Sequence, residues 1–169
     1  MVQLDGSPEK WFDGEESCLI ALTDDATSKV PAAEFHPSET TWGCMRVMRR
    51  LVEREGVPEI VLTDRAGWST GGLKRVNFSQ FVRACDELDM IVIGASSAES
   101  KGRIERKFRT FQDRLIPELE LYGVKGMTDA NRYLEQVHLP AHNAKMTVEA
   151  ESPIKAYRPV PVGVDLNAV

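Results

Sequence analysis

The stretch that decides the fold runs from residue 17 to residue 35 and reads Ser-Cys-Leu-Ile-Ala-Leu-Thr-Asp-Asp-Ala-Thr-Ser-Lys-Val-Pro-Ala-Ala-Glu-Phe. Residues 17–23 form a short apolar run without helical spacing, which predicts a buried strand. The polar cluster at 24–28 is typical of a turn. Residues 29–35 then return as a second strand, and Pro31 favours a position at the sheet edge. With a strand around Asp5, they predict a three-stranded antiparallel meander.

Helices and strands alternate after this meander. The pattern predicts a helix entered at 37–41 and stopped at 56–58, a strand at 59–63, a helix opened by Asn77 and Ser79, a strand at 90–93, and helices at about 98–115 and 127–138. The periodicity fades from Pro140 onward. We therefore predict an α/β fold, with a mixed five-stranded sheet and helices on both faces. Residues 1–140 would form one domain, and residues 141–169 a Pro-rich extension that is extended or partly ordered.

Composition narrows the class of protein. With 169 residues, 42% hydrophobic and 28% charged, the chain is ordinary for one globular domain. Its three cysteines form no CxxC pair, which predicts reduced core thiols and neither a disulfide framework nor a zinc site. No run approaches the roughly 18 apolar residues of a membrane helix, and the first residues lack the pattern of a signal peptide. We therefore expect a cytoplasmic protein without a membrane partner.

The charge is unevenly distributed. The formal net charge of −5 would by itself argue against a nucleic-acid partner. Residues 1–60, however, carry 6 basic and 12 acidic side chains, whereas residues 101–114 carry six basic and two acidic ones, a local net of +4. The positive charge therefore concentrates on the predicted long helix.

Three acidic residues occupy notable places in this pattern. Asp5 lies on the first strand, Asp64 at the end of the fourth, and Glu105 on the long helix. If strands one and four are neighbours, the side chains of Asp5 and Asp64 lie close together at one end of the sheet. A helix packed across that edge can place Glu105 beside them. Carboxylates so placed repel one another unless cations such as Mg²⁺ or Mn²⁺ neutralise them. Judged by position alone, the three residues fit equally well without a metal site. Asp5 and Asp64 would then be loop or strand-end residues, and Glu105 a solvated charge on the helix.

Several separated motifs bear on these alternatives. They are Gln3-Leu4-Asp5-Gly6-Ser7, Pro37-Ser38-Glu39-Thr40, Val61-Leu62-Thr63-Asp64 and Ser100-Lys101-Gly102-Arg103-Ile104-Glu105-Arg106. In this order, over about residues 3–115, they resemble the catalytic cores of retroviral integrases and bacterial transposases with an Asp-Asp-Glu triad. The pattern is most similar to insertion-sequence transposases of the ISNCY type, which also resemble this chain at 5–12, 24–28 and 112–115 and in the tail at 156–159.

The resemblance implies an RNase H-like fold and a divalent-metal-dependent DNA transposase or integrase. Asp5, Asp64 and Glu105 would be both the catalytic residues and the ligands of two Mg²⁺ or Mn²⁺ ions. The reaction would be phosphodiester cleavage at transposon ends followed by strand transfer into target DNA. The partners would be transposon-end and target DNA and further copies of the chain, in the cytoplasm of a bacterium at the nucleoid.

The predicted long helix carries most of the candidate DNA contacts. Lys101 and Arg109 flank Glu105 at one-turn spacing, and Arg103 and Arg106 lie beside it. These cations fit phosphate contacts near a metal site, although helical ion pairing, worth about 0.2–0.5 kcal/mol per pair, would use the same spacing. Arg65 follows the second Asp directly. Trp68, in the Gly-rich loop, is a candidate for stacking on a DNA base and equally for anchoring the loop.

Departures from the family pattern keep two other functions open. Ser96 and Ser97 stand where the family often has Asn and Pro, and Arg65-Ala66 follow the second Asp where many members have other residues. A catalytically decayed or domesticated DNA-binding or dimerisation module would also fit. A further alternative is another RNase H-like nuclease, such as an RNA–DNA hybrid hydrolase, against which the motif around Glu105 argues.

Overall fold

The computed structural model of the protein describes residues 1–12, 14–64, 80–95, 101–152 and 156–169. The chain opens with three strands, β1 (Val2–Phe12), β2 (Glu15–Asp24) and β3 (Ala32–His36). The elements that follow are α1 (Thr41–Glu55), β4 (Val57–Pro58), β5 (Ile60–Thr63), α2 (Gln80–Glu87), β6 (Ile91–Gly94), α3 (Gly102–Leu121), α4 (Met127–Tyr133), α5 (Leu139–Met146) and β7 (Tyr157–Arg158). A five-residue π-helix, Leu134–His138, joins α4 to α5.

The main sheet has the strand order β3-β2-β1-β5-β6. The pairs β1–β2 and β2–β3 are antiparallel, whereas β1–β5 and β5–β6 are parallel. The prediction of a mixed five-stranded sheet that begins with an antiparallel meander is therefore confirmed. The strand that follows Pro31 lies at one edge, as the sequence predicted.

Strand β2 explains why helices cover both faces of the sheet. Its residues are buried on both sides, because Cys18, Ile20 and Leu22 pack into one core while Leu19 and Ala21 pack into the other. The first core also contains the apolar stripes of α1 and α2, and the second contains those of α3, α4 and α5. Alternate side chains of a strand point to opposite faces, so this apolar run needs a helical layer on each side.

Helix α1 begins and ends at residues that the sequence identifies. The side chain of Thr40 caps the first turn by accepting a hydrogen bond from the backbone N–H of Gly43 at 3.1 Å. Gly56 ends the helix with φ of 101°, a conformation that disfavours other residues. A Cβ atom at Gly56 would also lie 2.6 Å from the carbonyl oxygen of Arg158.

The predicted ends of the last two helices are wrong. Helix α3 continues past residue 115 to Leu121 through the exposed Pro117, since buried Leu119 extends its apolar stripe. The helical segment that starts at Met127 passes through the π-helix into α5, where Pro140 lies in the first turn. The π-helix just before Pro140 interrupts the α-helical hydrogen-bond pattern, which accommodates a residue without an N–H. Helix α5 crosses the 140/141 boundary, and the division into domain and extension remains a prediction.

The C-terminal segment returns to the body of the fold. Strand β7 pairs with β4 in a small antiparallel sheet, and Val160, Val164, Leu166 and Val169 pack against the core that contains α1. The Tyr157 hydroxyl donates to Asp24 Oδ2 at 2.6 Å. Asp24 Oδ1 accepts from the backbone N–H groups of Ala26 and Thr27, which fits its predicted place in a turn. Within the described ranges, no helix is long and apolar enough to cross a membrane.

Glu34 on β3 makes the stability of the fold depend on pH in the acid range. Burial raises the pKa of this carboxyl, but the His36 imidazole 3.6 Å away, the hydrogen bonds from Arg46 and the charge of Arg50 outweigh burial and lower the pKa to about 2. The ordinary value is 4.5, so Glu34 stabilises the folded state above that pH. The stabilisation is lost as the pH falls towards 2. We expect Glu34→Gln to remove part of the acid sensitivity, of the order of 2 kcal/mol between pH 5 and pH 2.5.

Urea unfolding at several pH values measures this effect. The matched control is Glu53→Gln, which removes an exposed carboxylate that pairs with Arg49 within α1 at 2.7 Å. Exposed pairs of this kind contribute little, so the control should follow the wild-type pH profile. An unchanged profile for Glu34→Gln would contradict the assignment.

Candidate active site

The register of the two central strands brings the predicted aspartates together. Strands β1 and β5 pair in parallel with Val2 opposite Val61 and Gln3 opposite Leu62. Continuing this register brings Asp5 level with Asp64, which directly follows β5. Level residues on neighbouring parallel strands point to the same face. Asp5 pairs across β2 with Ala21, a residue of the core that contains α3, so both carboxylates belong to the α3 side of the sheet.

Asp5 lies in a partly buried, charged environment. Its side chain is 15% exposed, and its Oδ2 lies 2.7 Å from the ammonium nitrogen of Lys101. Burial raises the pKa of Asp5, and the charge of Asp64 adds to the increase. The hydrogen bond and charge of Lys101 act in the opposite direction without cancelling the increase. The protein therefore holds two neighbouring carboxylates whose mutual repulsion favours binding of a cation.

Two hydrogen bonds fasten α3 across β1. The backbone N–H of Ile104 donates to Gln3 Oε1 at 3.1 Å, and Gln112 Nε2 donates to Ser7 Oγ at 3.2 Å. Gln3 is 3% exposed, and its amide also donates to Asp25 at 2.9 Å. The first turn of α3 is thus attached to β1 at Gln3, two residues before Asp5, and its third turn is attached at Ser7, two residues after Asp5.

Glu105 lies on the stripe of α3 that faces β1. Residues 101, 105 and 112 share one side of a helix, because their spacings of four and seven residues are nearly whole turns. Lys101 contacts Asp5 and Gln112 contacts Ser7, so Glu105 lies between two residues that contact β1. Its side chain is exposed. Among the described residues, no three His, Cys, Asp or Glu side chains are close enough together to form a metal site.

The donor chemistry nevertheless fits a hard divalent cation. The candidate ligands are carboxylates only, which favours Mg²⁺ or Mn²⁺ over metals that prefer nitrogen or sulfur. The Lys101 ammonium already provides a positive charge beside Asp5. Asp5 and Asp64 would hold such an ion, and Glu105 would add a third carboxylate from α3.

A fourth acid, Glu39, approaches the other face of β1 and was not predicted. It immediately precedes the capping residue of α1, and a Cβ atom at Gly6 would lie 2.6 Å from Glu39 Oε2 and 2.9 Å from Cys18 Sγ. Glycine at position 6 therefore allows this close approach. Burial, with the charge of Glu39, raises the pKa of Cys18 to about 12, which keeps the thiol protonated and excludes it as a nucleophile at neutral pH.

The structure separates the predicted DNA contacts into two groups. Lys101 turns inward to Asp5, and Arg103 pairs with Asp25 at 2.9 Å. Arg106 and Arg109 are exposed, and neither forms an ion pair with another described residue. Arg65 and Trp68 lie outside the described residues.

Sequence reasoning missed the role of Gln3. This residue was quoted within the first-strand motif, but only the structure reveals it as the link between β1, the turn at Asp25 and the start of α3. The signal was available, because a polar residue two positions before Asp5 points to the same face of an otherwise apolar strand.

Comparison with known proteins places this geometry in context. The chain is 31% identical over 171 residues to the putative transposase y4bF of Sinorhizobium fredii, covering 98% of this chain and 37% of the relative. It is 30% identical over 140 residues to the transposase for insertion sequence IS1202 of Streptococcus pneumoniae, covering 79% of this chain and 30% of that protein. The chain thus spans about a third of the length of these relatives. No protein-family model matches it.

The fold has counterparts among solved structures. The HTLV-2 integrase catalytic core domain, solved in complex with magnesium in a trimeric form, superposes with a TM-score of 0.62. The alignment covers 80% of this chain and 84% of the integrase core at 16% sequence identity, a likeness of fold. This confirms the predicted RNase H-like architecture. In sequence, the chain is thus similar to about a third of two transposases, one of them from an insertion sequence, and in fold it is similar to a retroviral integrase catalytic core domain.

Proposed function

We propose that the chain performs metal-dependent DNA cleavage at transposon ends and strand transfer into target DNA. The observation that carries this proposal is the β1–β5 register, which aligns Asp5 with Asp64 under a helix that bears Glu105. These three carboxylates would bind two Mg²⁺ or Mn²⁺ ions. Bound divalent ions activate the attacking oxygen and stabilise the leaving oxygen in phosphodiester displacement.

The protein's own residues would position the reacting groups. Gln3 and Gln112 hold α3 against β1, which fixes the side of the helix that carries Glu105. Exposed Arg106 and Arg109, which follow Glu105 within about one turn of α3, would bind DNA phosphates, and Lys101, Arg103, Arg65 and Trp68 are further candidates for DNA contact. The partners would be transposon-end and target DNA and further copies of the chain, in the cytoplasm of a bacterium at the nucleoid.

Calorimetric titration with Mn²⁺ tests the proposed metal site. The wild-type protein should bind Mn²⁺ at millimolar or lower concentration, and Asp5→Asn, Asp64→Asn and Glu105→Gln should each weaken binding at least about tenfold, because each removes a negative oxygen ligand. Two exposed acids provide matched controls, Asp86→Asn on α2 and Glu120→Gln on α3. Both should bind as the wild type does.

A second function, a non-catalytic DNA-docking module, is favoured by one observation. The ammonium of Lys101 already neutralises Asp5, as it would in a protein that has lost its metal. Absence of Mn²⁺ binding at millimolar concentration, with retained DNA binding, would favour the module over the enzyme.

A further inference from the structure

The basic side chain at the start of α3 does not behave as a surface cation. Lys101, immediately before the first residue of α3, is only 8% exposed, and its ammonium nitrogen lies 2.7 Å from Asp5 Oδ2. Burying an ammonium group is costly unless it is paired with an anion. Arg106 and Arg109 on the same helix are exposed, and the ammonium of the half-buried Lys107 lies near His142 and not near an acid, so Lys101 is the cation of α3 that pairs with Asp5.

The Lys101 ammonium contacts the carboxylate oxygen that a metal ion would need. A Mg²⁺ ion held by Asp5 would be a second cation against the carboxylate that Lys101 already contacts. Two cations this close repel each other strongly. One ammonium offsets only one negative charge, however, and the charge of Asp64 still acts on Asp5. A divalent cation would neutralise the pair more completely.

We propose that Lys101 is an internal counter-cation that holds the site together without metal and is displaced when a divalent ion binds. This inference rests on the proposed metal site. Lys101 is thus a positioning residue, whose four-carbon side chain is long and flexible enough to release Asp5. The exchange lowers the apparent affinity for metal, because the ion must displace an existing ion pair.

Mn²⁺ titration of Lys101→Gln tests the exchange. Without the competing charge, we expect the Kd for Mn²⁺ to fall about tenfold or more, since an opposite charge at this distance changes the affinity of a carboxylate for a proton by about one to three powers of ten and opposes binding of a metal ion in the same direction. The melting temperature without metal should fall, and Mn²⁺ should raise it further than in the wild type. The matched control is Arg114→Gln, which removes an exposed cation 13 residues along the chain and should leave the Kd unchanged.

Each outcome is informative. Tighter binding supports the exchange, and so does a Lys101→Gln protein that folds only when Mn²⁺ is added. A folded variant with the wild-type Kd overturns the exchange but leaves the metal site intact, provided that Asp64→Asn still weakens Mn²⁺ binding. A variant that stays unfolded at every Mn²⁺ concentration also overturns it, because metal then fails to replace the ammonium. If neither protein binds Mn²⁺, both the exchange and the proposed metal-dependent function fail.

Discussion

Replacing Asp64 by Asn should lower Mn²⁺-dependent nicking of supercoiled plasmid DNA by at least about 10³-fold. Metal-held charge stabilises the transition state of phosphodiester cleavage by several kcal/mol, and each 1.36 kcal/mol corresponds to a factor of ten in rate. Asp64 aligns with Asp5 in the β1–β5 register, so the substitution removes one of two neighbouring negative charges. Supercoiled plasmid DNA is chosen as the substrate because the assay then does not depend on the sequence of the transposon end.

The fold should tolerate this substitution. Asn has the shape of Asp, and its neutral amide relieves the repulsion that contributes to the raised pKa of Asp5. Circular dichroism and the melting temperature should therefore remain close to wild type. Asp86→Asn, at an exposed position on α2, is the matched control and should nick DNA normally. Wild-type nicking by Asp64→Asn would remove this residue from the catalytic site.

The largest effect on stability is expected from Trp11→Ala. Trp11 is fully buried, its indole N–H donates to the Ser7 carbonyl at 2.9 Å, and its ring lies 5.7 Å from that of Phe35. Truncating a buried Trp to Ala typically costs about 3–5 kcal/mol, because the lost contacts leave a cavity. Domains of this size have only about 5–15 kcal/mol of stability in total.

Trp42 provides the control within the same chain. It lies on α1 with 66% of its surface exposed, so Trp42→Ala should change the free energy of unfolding by only about 0.5 kcal/mol. Urea unfolding of both variants compares two chemically identical truncations. Equal effects at the two positions would contradict the burial assigned to them.

The sheet and the pairing of the two aspartates could be predicted from sequence. The apolar run at 17–23, the polar turn that follows it and the strand ending at Asp64 each carry a local signal. The structure agrees, since residues on β2 pack on both faces and β1 lies beside β5. Turn residues and apolar periodicity are local signals that extend over only a few residues, so they can be recognised from the sequence alone.

The inward turn of Lys101 could not be predicted in the same way. Spacing correctly places it on the same helical face as Glu105, but it does not determine which helix faces point towards β1. That orientation depends on the packing of Ile104 and Phe108 in the core and on the hydrogen bond between Ile104 and Gln3. Helical spacing gives no information about the burial of the Lys101 side chain, which the tertiary structure determines, and its contact with DNA remains a prediction.

The exposure of Trp42 and the continuation of the helix beyond Pro140 have similar causes. The size and apolar character of Trp42 favour a core or packing role, but it lies at the exposed start of α1, outside the buried stripe of that helix. Pro140 was expected to end helical structure, yet it follows a π-helix and enters α5 in its first turn. In both cases, position within the element decides the outcome more strongly than residue type.

The return of the C-terminal segment to α1 has a consequence for biosynthesis. Ribosomes release a chain from its N-terminus, so every strand of the main sheet emerges before β7 can pair with β4. Until then, the apolar surface of α1 and α2 lacks the contacts of Val160, Val164 and Leu166. During synthesis the surface of α1 and α2 is therefore open to chaperones and proteases until residues 157–169 have emerged and packed against it.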